Sequence, residues 1–163
     1  QTYRAGDASR RVAKKAFANA QYKMAAEHAR DALKANQLDA EARRVLADAL
    51  LQAGLHAESR PEYQRLADEG TGKARQEALY WVGICGLYLF EYAQAEKVFD
   101  ALVKEGYQAG DIYLWRGRCR FERKDVEGAK QDFRLAVEFA STPDQRKVCE
   151  AALAELEKPG KQE

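Results

Sequence analysis

The chain has 163 residues, with 27 Lys or Arg against 26 Asp or Glu, so its formal net charge is only +1. A protein that holds nucleic acid by its phosphate backbone usually carries a clear basic excess, so this balance argues against that class of function. Ala, Leu, Glu, Lys, Arg and Gln dominate, only three prolines occur, and no long run alternates as a strand would. This composition predicts an all-α fold, in a chain long enough to bury a core.

The N-terminal sequence and the cysteines give information about processing of the chain and its cellular compartment. The first segment, QTYRAGDASRR, contains no apolar signal core and no initiating Met, so we expect a processed chain or a fragment of a longer protein. Three cysteines, an odd number, do not make a disulfide framework, and none has the spacing of a metal site. They fit buried thiols or a reducing compartment, which favours the cytoplasm and leaves the localisation open.

Small residues recur along the chain with a period close to 34. One series advances by 34, 36, 34 and 34 positions and comprises Ala13, Ala47, Gly83, Gly117 and Ala151. A second series advances by 34, 36 and 34 positions and comprises Ala25, Ser59, Ala95 and Ala129. Four residues after each member of the second series come Ala29, Tyr63, Phe99 and Phe133. Series that share one offset indicate a structural repeat.

This pattern resembles the tetratricopeptide repeat family, whose 34-residue unit consists of two antiparallel helices, A and B. The resemblance implies a right-handed α-solenoid of stacked helix pairs that forms a single domain over residues 1–163. Its predicted units are 6–39, 40–73, 76–109 and 110–143, followed by a capping helix over 144–157 and a tail over 158–163. The two extra residues of the longer interval lie in DEGTGK, Asp68–Lys73, and within it we expect GTGK, Gly70–Lys73, to be an inter-repeat loop.

Two helix starts are predicted from capping residues. In the second unit, SRPE (Ser59–Glu62) has the form of a capping box with Pro61 in the first turn, so we expect helix B to begin near Ser59. Asp144 is the expected N-cap of the closing helix. One face of that helix is predicted to carry Val148, Ala151, Ala152 and Leu156.

The third unit begins with ALYWVGICGLYLF, Ala78–Phe90, a run of thirteen apolar residues between Glu77 and Glu91. A membrane-spanning helix needs about twenty apolar residues, so this run is too short to cross a bilayer. We expect a buried helix A, covered by neighbouring helices of the stack. Cys85 in this run and Cys119 hold the same repeat position and are interpreted as small buried hydrophobes.

The fourth repeat contains YLWRGRCRFERK, Tyr113–Lys124, in which five of twelve residues are basic and three are aromatic. At about 100° per residue its charges divide between different faces of a helix. We expect Arg116 and Arg120 to be partly buried and paired with acids such as Asp100 or Asp132. The alternative is a dedicated anion or nucleic-acid site, in which aromatic rings and arginines form a platform.

The resemblance implies that the A helices line a channel for an extended peptide or a helix of a partner protein. Transferring the family's channel positions gives a partner-binding groove of Arg10, Lys14, Arg44, Asp48, Tyr80, Trp81, Ile84, Tyr88, Trp115, Arg118 and Phe121. Aromatic and Arg side chains are typical of binding hot spots. The expected ligand is a protein segment with apolar and acidic residues, and the expected role is that of an adaptor or chaperone-like module.

Two alternatives stay open at this point. One is a structural scaffold segment of a larger tetratricopeptide protein, such as a component of bacterial envelope export machinery. The other is an RNA-binding solenoid that uses the stretch Arg116–Lys124. No acid, base and nucleophile are grouped as a catalytic site requires, so we expect no enzyme activity, no cofactor and no metal.

Overall fold

The computed structural model describes residues 2–107 and 111–158, with side chains from residue 4 onward. Within these ranges it contains nine α-helices and no strand, which confirms the predicted all-α fold. The helices are α1 (Thr2–Ala18), α2 (Tyr22–Ala35), α3 (Ala40–Gln52), α4 (His56–Glu69), α5 (Gly72–Tyr88), α6 (Tyr92–Lys104), α7 (Ile112–Glu122), α8 (Val126–Glu138) and α9 (Pro143–Glu157). The chain separates into two compact parts, Gln1–Cys85 and Gly86–Glu163. From here on these parts are called the first unit and the second unit, and each helix pair is called a repeat. The assignment of a single domain stays a prediction.

The first eight helices form four A–B pairs, each joined by a turn of three residues. The middle residue of every turn has a positive φ, and the next residue donates its N–H to the carbonyl five positions back, at 2.9 Å. The middle residues are Ala20 (58°), Gly54 (77°), Phe90 (61°) and Lys124 (70°). This is the Schellman ending of a helix, in which a left-handed residue reverses the chain and leads into helix B.

Helix α4 begins at His56, the position equivalent to the starts of α2, α6 and α8, so the predicted start near Ser59 is wrong. The Ser59 side chain is fully buried, and its hydroxyl donates to the carbonyl of Ala47 at 2.8 Å. It therefore links α4 to α3 instead of capping a helix, and Pro61 lies inside α4. The loop expected over Gly70–Lys73 begins where predicted, after α4 ends at Glu69, but it is shorter because α5 begins at Gly72.

The first unit has a core in which small side chains allow helices to approach closely. Alanines of α1, α2 and α3 form one buried cluster, completed by Leu33, Leu46 and Leu50. Ala29, which replaces the aromatic residue of the later repeats, is fully buried in this cluster. A second cluster surrounds the buried ring of Tyr63 and includes Ala47, Val82 and Cys85.

In the second unit, Phe99 and Phe133 hold the repeat position that Ala29 holds in the first repeat. Phe133 packs on a cluster with Leu114, Ala129, Ala136 and Cys149. A Cβ added to Gly117 would lie only 2.6 Å from a ring carbon of Phe133. The glycine is therefore required by the close approach of α7 to α8, as the series of small residues predicts.

Helix α5 contains the apolar run as far as Tyr88. Ala78, Val82, Cys85 and Leu87 of this run are buried, which confirms the interpretation of the run as a buried helix. Among the helices in the described ranges, none is both long enough and apolar enough to span a membrane.

The closing helix α9 starts earlier than predicted. Its N-cap is Thr142, whose hydroxyl accepts the N–H of Gln145 at 3.1 Å, and Pro143 occupies the first turn, so the cap assigned to Asp144 is wrong. The predicted face is only half right, since Val148 is 57% exposed and Ala151 is exposed. The side chains that pack on the core of the second unit follow the helical spacing i, i+3, i+4, i+7 and are Cys149, Ala152, Leu153 and Leu156.

Candidate functional site

The two cations predicted at the N-terminal end of the groove both pair with acids of α3 or its cap. Arg10 donates to Asp39 at 2.7 Å, and Lys14 contacts Glu41. Burial lowers the pKa of Arg10, but the contact with Asp39 outweighs it and leaves that pKa raised. The hydrogen bond from Lys14 lowers the pKa of Glu41. This part of the predicted groove is therefore a surface of alternating charges and not a basic one.

Arg44 and Asp48 belong to a mixed polar and aromatic cluster in the first unit. Arg44 donates to Asp48 at 2.8 Å and to Glu77 at 3.0 Å, and its guanidinium carbon lies 5.7 Å from the ring centroid of Tyr63. The Tyr63 hydroxyl donates to Asp48, and its ring stacks on Trp81 with centroids 6.1 Å apart. Burial, followed by the charge of Asp48, raises the pKa of Tyr63.

Two of the predicted groove residues on α5 have buried side chains. Tyr80 is 6% exposed and Ile84 is 5% exposed, so the expectation that both present side chains on the surface is wrong. The physical reason is that this helix is apolar on nearly every face, and packing covers most of its circumference. Trp81 is partly buried. Its ring lies nearly perpendicular to the ring of Tyr80, with centroids 5.1 Å apart.

In the second unit, the predicted groove residues are more accessible. Tyr88 is 50% exposed and Phe121 is 42% exposed, while Trp115 is partly buried. Arg118 is exposed, and its guanidinium carbon lies 5.5 Å from the centroid of the Trp115 ring. Trp115, Arg118 and Phe121 share one stripe of α7, because they follow one another at intervals of three residues.

A cavity of about 110 Å³ opens beside this stripe. Its lining consists of side chains around the turn between α5 and α6, together with two from α7, and comprises Leu87, Tyr88, Phe90, Tyr92, Arg118 and Glu122. Phe90 is 75% exposed, and its ring packs edge-on against Tyr92 with centroids 6.2 Å apart. We call Tyr88, Phe90, Trp115, Arg118 and Phe121 the aromatic surface.

Phe90 was not predicted as a functional residue. It occupies the repeat position of Gly54, where the turn requires a positive φ, and its own φ is 61°. A bulky aromatic residue in this conformation is unusual. The signal available in the sequence was the repeat register, which places an aromatic residue at a turn position suited to glycine.

Arg116 and Arg120 are paired with acids, as predicted. Arg116 contacts Asp132 at 2.7 Å and Asp100 at 3.0 Å, and Arg120 contacts Asp132 at 3.1 Å and Glu96 at 3.3 Å. Asp132 is fully buried, so this cluster lies inside the second unit. The two arginines are committed to these carboxylates, and the basic stretch therefore does not present them as an RNA-binding platform.

Comparison with known families decides the class of the chain. The sequence profile described as Tetratricopeptide repeat matches residues 13–74 and 87–145, which together form well over half of the chain. The chain belongs to the tetratricopeptide repeat family. No significant match is found among curated proteins.

Solved structures of tetratricopeptide proteins share this fold. TTC0263 of Thermus thermophilus has 22% sequence identity and a TM-score of 0.66, over 93% of this chain and 81% of that one. MamA of Desulfovibrio magneticus RS-1 has 15% identity and a TM-score of 0.74, over 93% of both chains. YrrB, a tetratricopeptide protein described as having an unusual peptide-binding site, has 14% identity and a TM-score of 0.67, over 88% of this chain and 78% of that one. At these identities the likeness shows the fold alone.

Membership of the tetratricopeptide family points to a protein–protein interaction module. All of the predicted groove residues lie on the A helices α1, α3, α5 and α7. The structure gives them different environments: charge pairs at Arg10, Lys14, Arg44 and Asp48, and burial at Tyr80 and Ile84. The exposed aromatic groups lie in the second unit.

Proposed function

We propose that this tetratricopeptide protein binds an extended peptide or a helical segment of a partner protein, in an adaptor or chaperone-like role. The observation that carries the proposal is the aromatic surface with its cavity of about 110 Å³. Exposed rings, a nearby arginine and a small cavity are the components of a binding hot spot, because they offer contact area with little rotamer entropy to lose.

Phe90 is the strongest single indication of binding at this surface. Holding a non-glycine residue in the left-handed region costs about 1–2 kcal/mol. The ring gives little packing in return, since it is 75% exposed. Ala20 and Lys124 share this conformation at equivalent turns, so the conformation alone does not indicate binding; what supports contact with a partner is a large exposed ring that lines a cavity.

Arg118 adds the charge preference of the proposed site. Its guanidinium lies over Trp115, it lines the same cavity as Phe90, and it makes no ion pair with any described residue. An arginine held by an aromatic ring is well placed to receive a carboxylate of a partner. We therefore expect an apolar side chain in the cavity and an acidic residue beside it in the bound segment.

The proposal also assigns a role to the charged groove residues of the first unit. Arg10, Lys14, Arg44 and Asp48 lie in ion pairs with alternating signs, and such pairs contribute more to the choice of partner than to affinity. Trp81, which is partly buried against Tyr63, contributes a smaller apolar contact.

The test compares two double variants of the second unit. Phe90→Gly/Arg118→Glu removes the exposed ring and reverses the charge. Lys124→Gly/Arg134→Glu places Gly at an equivalent turn and reverses another exposed arginine; it lowers the net charge by three, against two for the test variant, and serves as the control. Each immobilised chain is used to capture proteins from a lysate of the source organism, and the captured protein is then titrated against all three chains.

The proposal predicts capture by the wild type and by the control, and an affinity at least about tenfold lower for Phe90→Gly/Arg118→Glu. Circular dichroism and urea unfolding check that all three chains are folded. Equal affinity for the two double variants would show that the aromatic surface is not the binding site.

A further inference from the structure

The first unit contains a second, larger cavity of about 400 Å³. It lies between the B helices α2 and α4, with residues of α3 and of the turn before α3 completing the lining. Four of its lining side chains are cationic, and the only carboxylate among the lining residues is Glu62. The cations are Arg30, Lys34, Arg43 and Arg65. None of these residues belongs to the aromatic surface or to the predicted groove.

Arg43 is the fixed cation of this cavity. It is only 5% exposed, and its guanidinium donates to Glu62 at 2.7 Å and to the main-chain carbonyl of Gln37 at 2.7 Å. Its third donor, Nε, is buried and has no hydrogen-bond partner. Because this N–H is sealed from solvent, a ligand oxygen in the cavity cannot reach it, and Arg43 contributes to the cavity as a fixed positive charge.

The other three cations are adjustable. Each is exposed and pairs with a carboxylate that does not line the cavity. These pairs are Arg30–Glu58 at 3.0 Å, Lys34–Asp31 at 2.8 Å and Arg65–Glu69 at 2.8 Å. Exposed ion pairs contribute little to stability, so these side chains can turn toward an incoming anion at small cost.

We propose that this cavity binds an acidic peptide segment of a partner protein. Carboxylates of the segment would pair with Arg30, Lys34 and Arg65, beside the fixed positive charge of Arg43. The volume favours a peptide over a single small anion, because about 400 Å³ lies within the range of pockets that hold drug-sized ligands. The inference adds a site to the proposed function and does not depend on it, since the two sites share no residue.

The probe is a hexaglutamate peptide with a fluorescent label, and binding is followed by anisotropy at low ionic strength. The test variant is Arg30→Glu/Arg65→Glu, which changes two exposed residues and leaves the buried Arg43 in place. The control is Arg134→Glu/Lys147→Glu, which alters the net charge equally at exposed residues of the second unit. The amide resonances of the wild type are recorded during the same titration. This second readout locates the binding site even if a variant fails to fold.

The proposal predicts binding of the peptide to the wild type, at least tenfold weaker binding to Arg30→Glu/Arg65→Glu, and less than a twofold change for the control. The largest shifts of amide resonances are expected at Leu33, Gln37 and Leu46. No binding, equal weakening in both variants, or shifts elsewhere would overturn it. Saturation of the same amides by inorganic phosphate, without binding of the peptide, would also overturn it, since the occupant would then be a small anion.

Discussion

At the scale of single residues, the hydroxyl of Tyr63 distinguishes the second repeat from the third and fourth, where Phe99 and Phe133 hold the same position. The ring is fully buried against Trp81, and the hydroxyl donates to Asp48. A polar group brought this far into a core has to stay paired. The contact therefore connects the packing of the repeat to its charged surface.

Replacing Tyr63 by Phe should lower the free energy of unfolding by about 1–2 kcal/mol at neutral pH, because a hydrogen bond to a carboxylate is lost. Urea unfolding of the variant measures this change. Tyr22→Phe, at a partly buried ring whose hydroxyl donates to no described residue, is the control and should behave like the wild type. Equal stability of Tyr63→Phe and the wild type would show that the hydroxyl contributes nothing to folding.

The same residue should make stability depend on alkaline pH. Burial, and then Asp48, raise the pKa of Tyr63 above its ordinary value of 10.0. The folded chain thus keeps this proton in a range where the unfolded chain loses it, so the stability contributed by the residue is complete below pH 10 and declines as the pH rises further. We expect the difference between the wild type and Tyr63→Phe to shrink above about pH 10. A difference that is constant with pH, in urea titrations, would contradict this.

The cysteines give a chemical test of burial. Cys85, Cys119 and Cys149 are unpaired and fully buried, and burial raises the pKa of each thiol, that of Cys119 to about 12. Because the thiolate is the reactive form, the folded chain should stay unlabelled by a disulfide reagent at about pH 8. The urea-unfolded chain should react completely in the same time. Rapid labelling of the folded chain, measured by absorbance, would show that the core opens.

At the scale of helices, the repeat period predicted which segments pair, whereas cap residues did not predict where they begin. The B helices start after a Schellman turn, which needs main-chain groups and a left-handed residue; α2, α4 and α6 have no capping side chain, and in α8 Asp125 accepts the N–H of Gly128. Ser59 matches a cap motif, yet its hydroxyl is used between α3 and α4. Whether a serine hydroxyl caps its own helix or donates to a carbonyl of a neighbouring helix depends on which carbonyl lies nearby in the fold. Local sequence therefore cannot decide between the two.

The turns provide a matched set of substitutions. Ala20→Gly and Lys124→Gly should raise the free energy of unfolding by about 0.5–1 kcal/mol, since the left-handed penalty exceeds the entropy cost of glycine. Gly54→Ala, at the equivalent turn, should lower it by about 1 kcal/mol. Thermal and urea unfolding measure all three. Effects of the same sign in the three variants would refute this account of the turns.

At the scale of the whole molecule, the net charge of +1 includes ion pairs that join one A helix to the next A helix or to its N-cap. Arg10 reaches Asp39, Lys14 reaches Glu41, and Arg44 reaches Glu77. The cations were predicted from the repeat register, but their acidic partners lie about one repeat further along the chain and depend on packing. The exposed rings of Tyr88 and Phe121 follow from the register, whereas the burial of Tyr80 and Ile84 follows from the surrounding helices.

Helix α9 shows how an end of the array stabilises its neighbours. Leu153 and Leu156 pack on the cluster of Phe133, so Leu153→Ala/Leu156→Ala should lower the free energy of unfolding by about 2–4 kcal/mol. Val148→Ala, at a site that is 57% exposed, is the control and should have a small effect. Since repeat arrays are stabilised through nearest neighbours, the loss should first open α7, α8 and α9. Hydrogen exchange should therefore accelerate in residues 112–157 and stay unchanged in residues 22–52, and a uniform acceleration would mean that the chain unfolds as one cooperative unit.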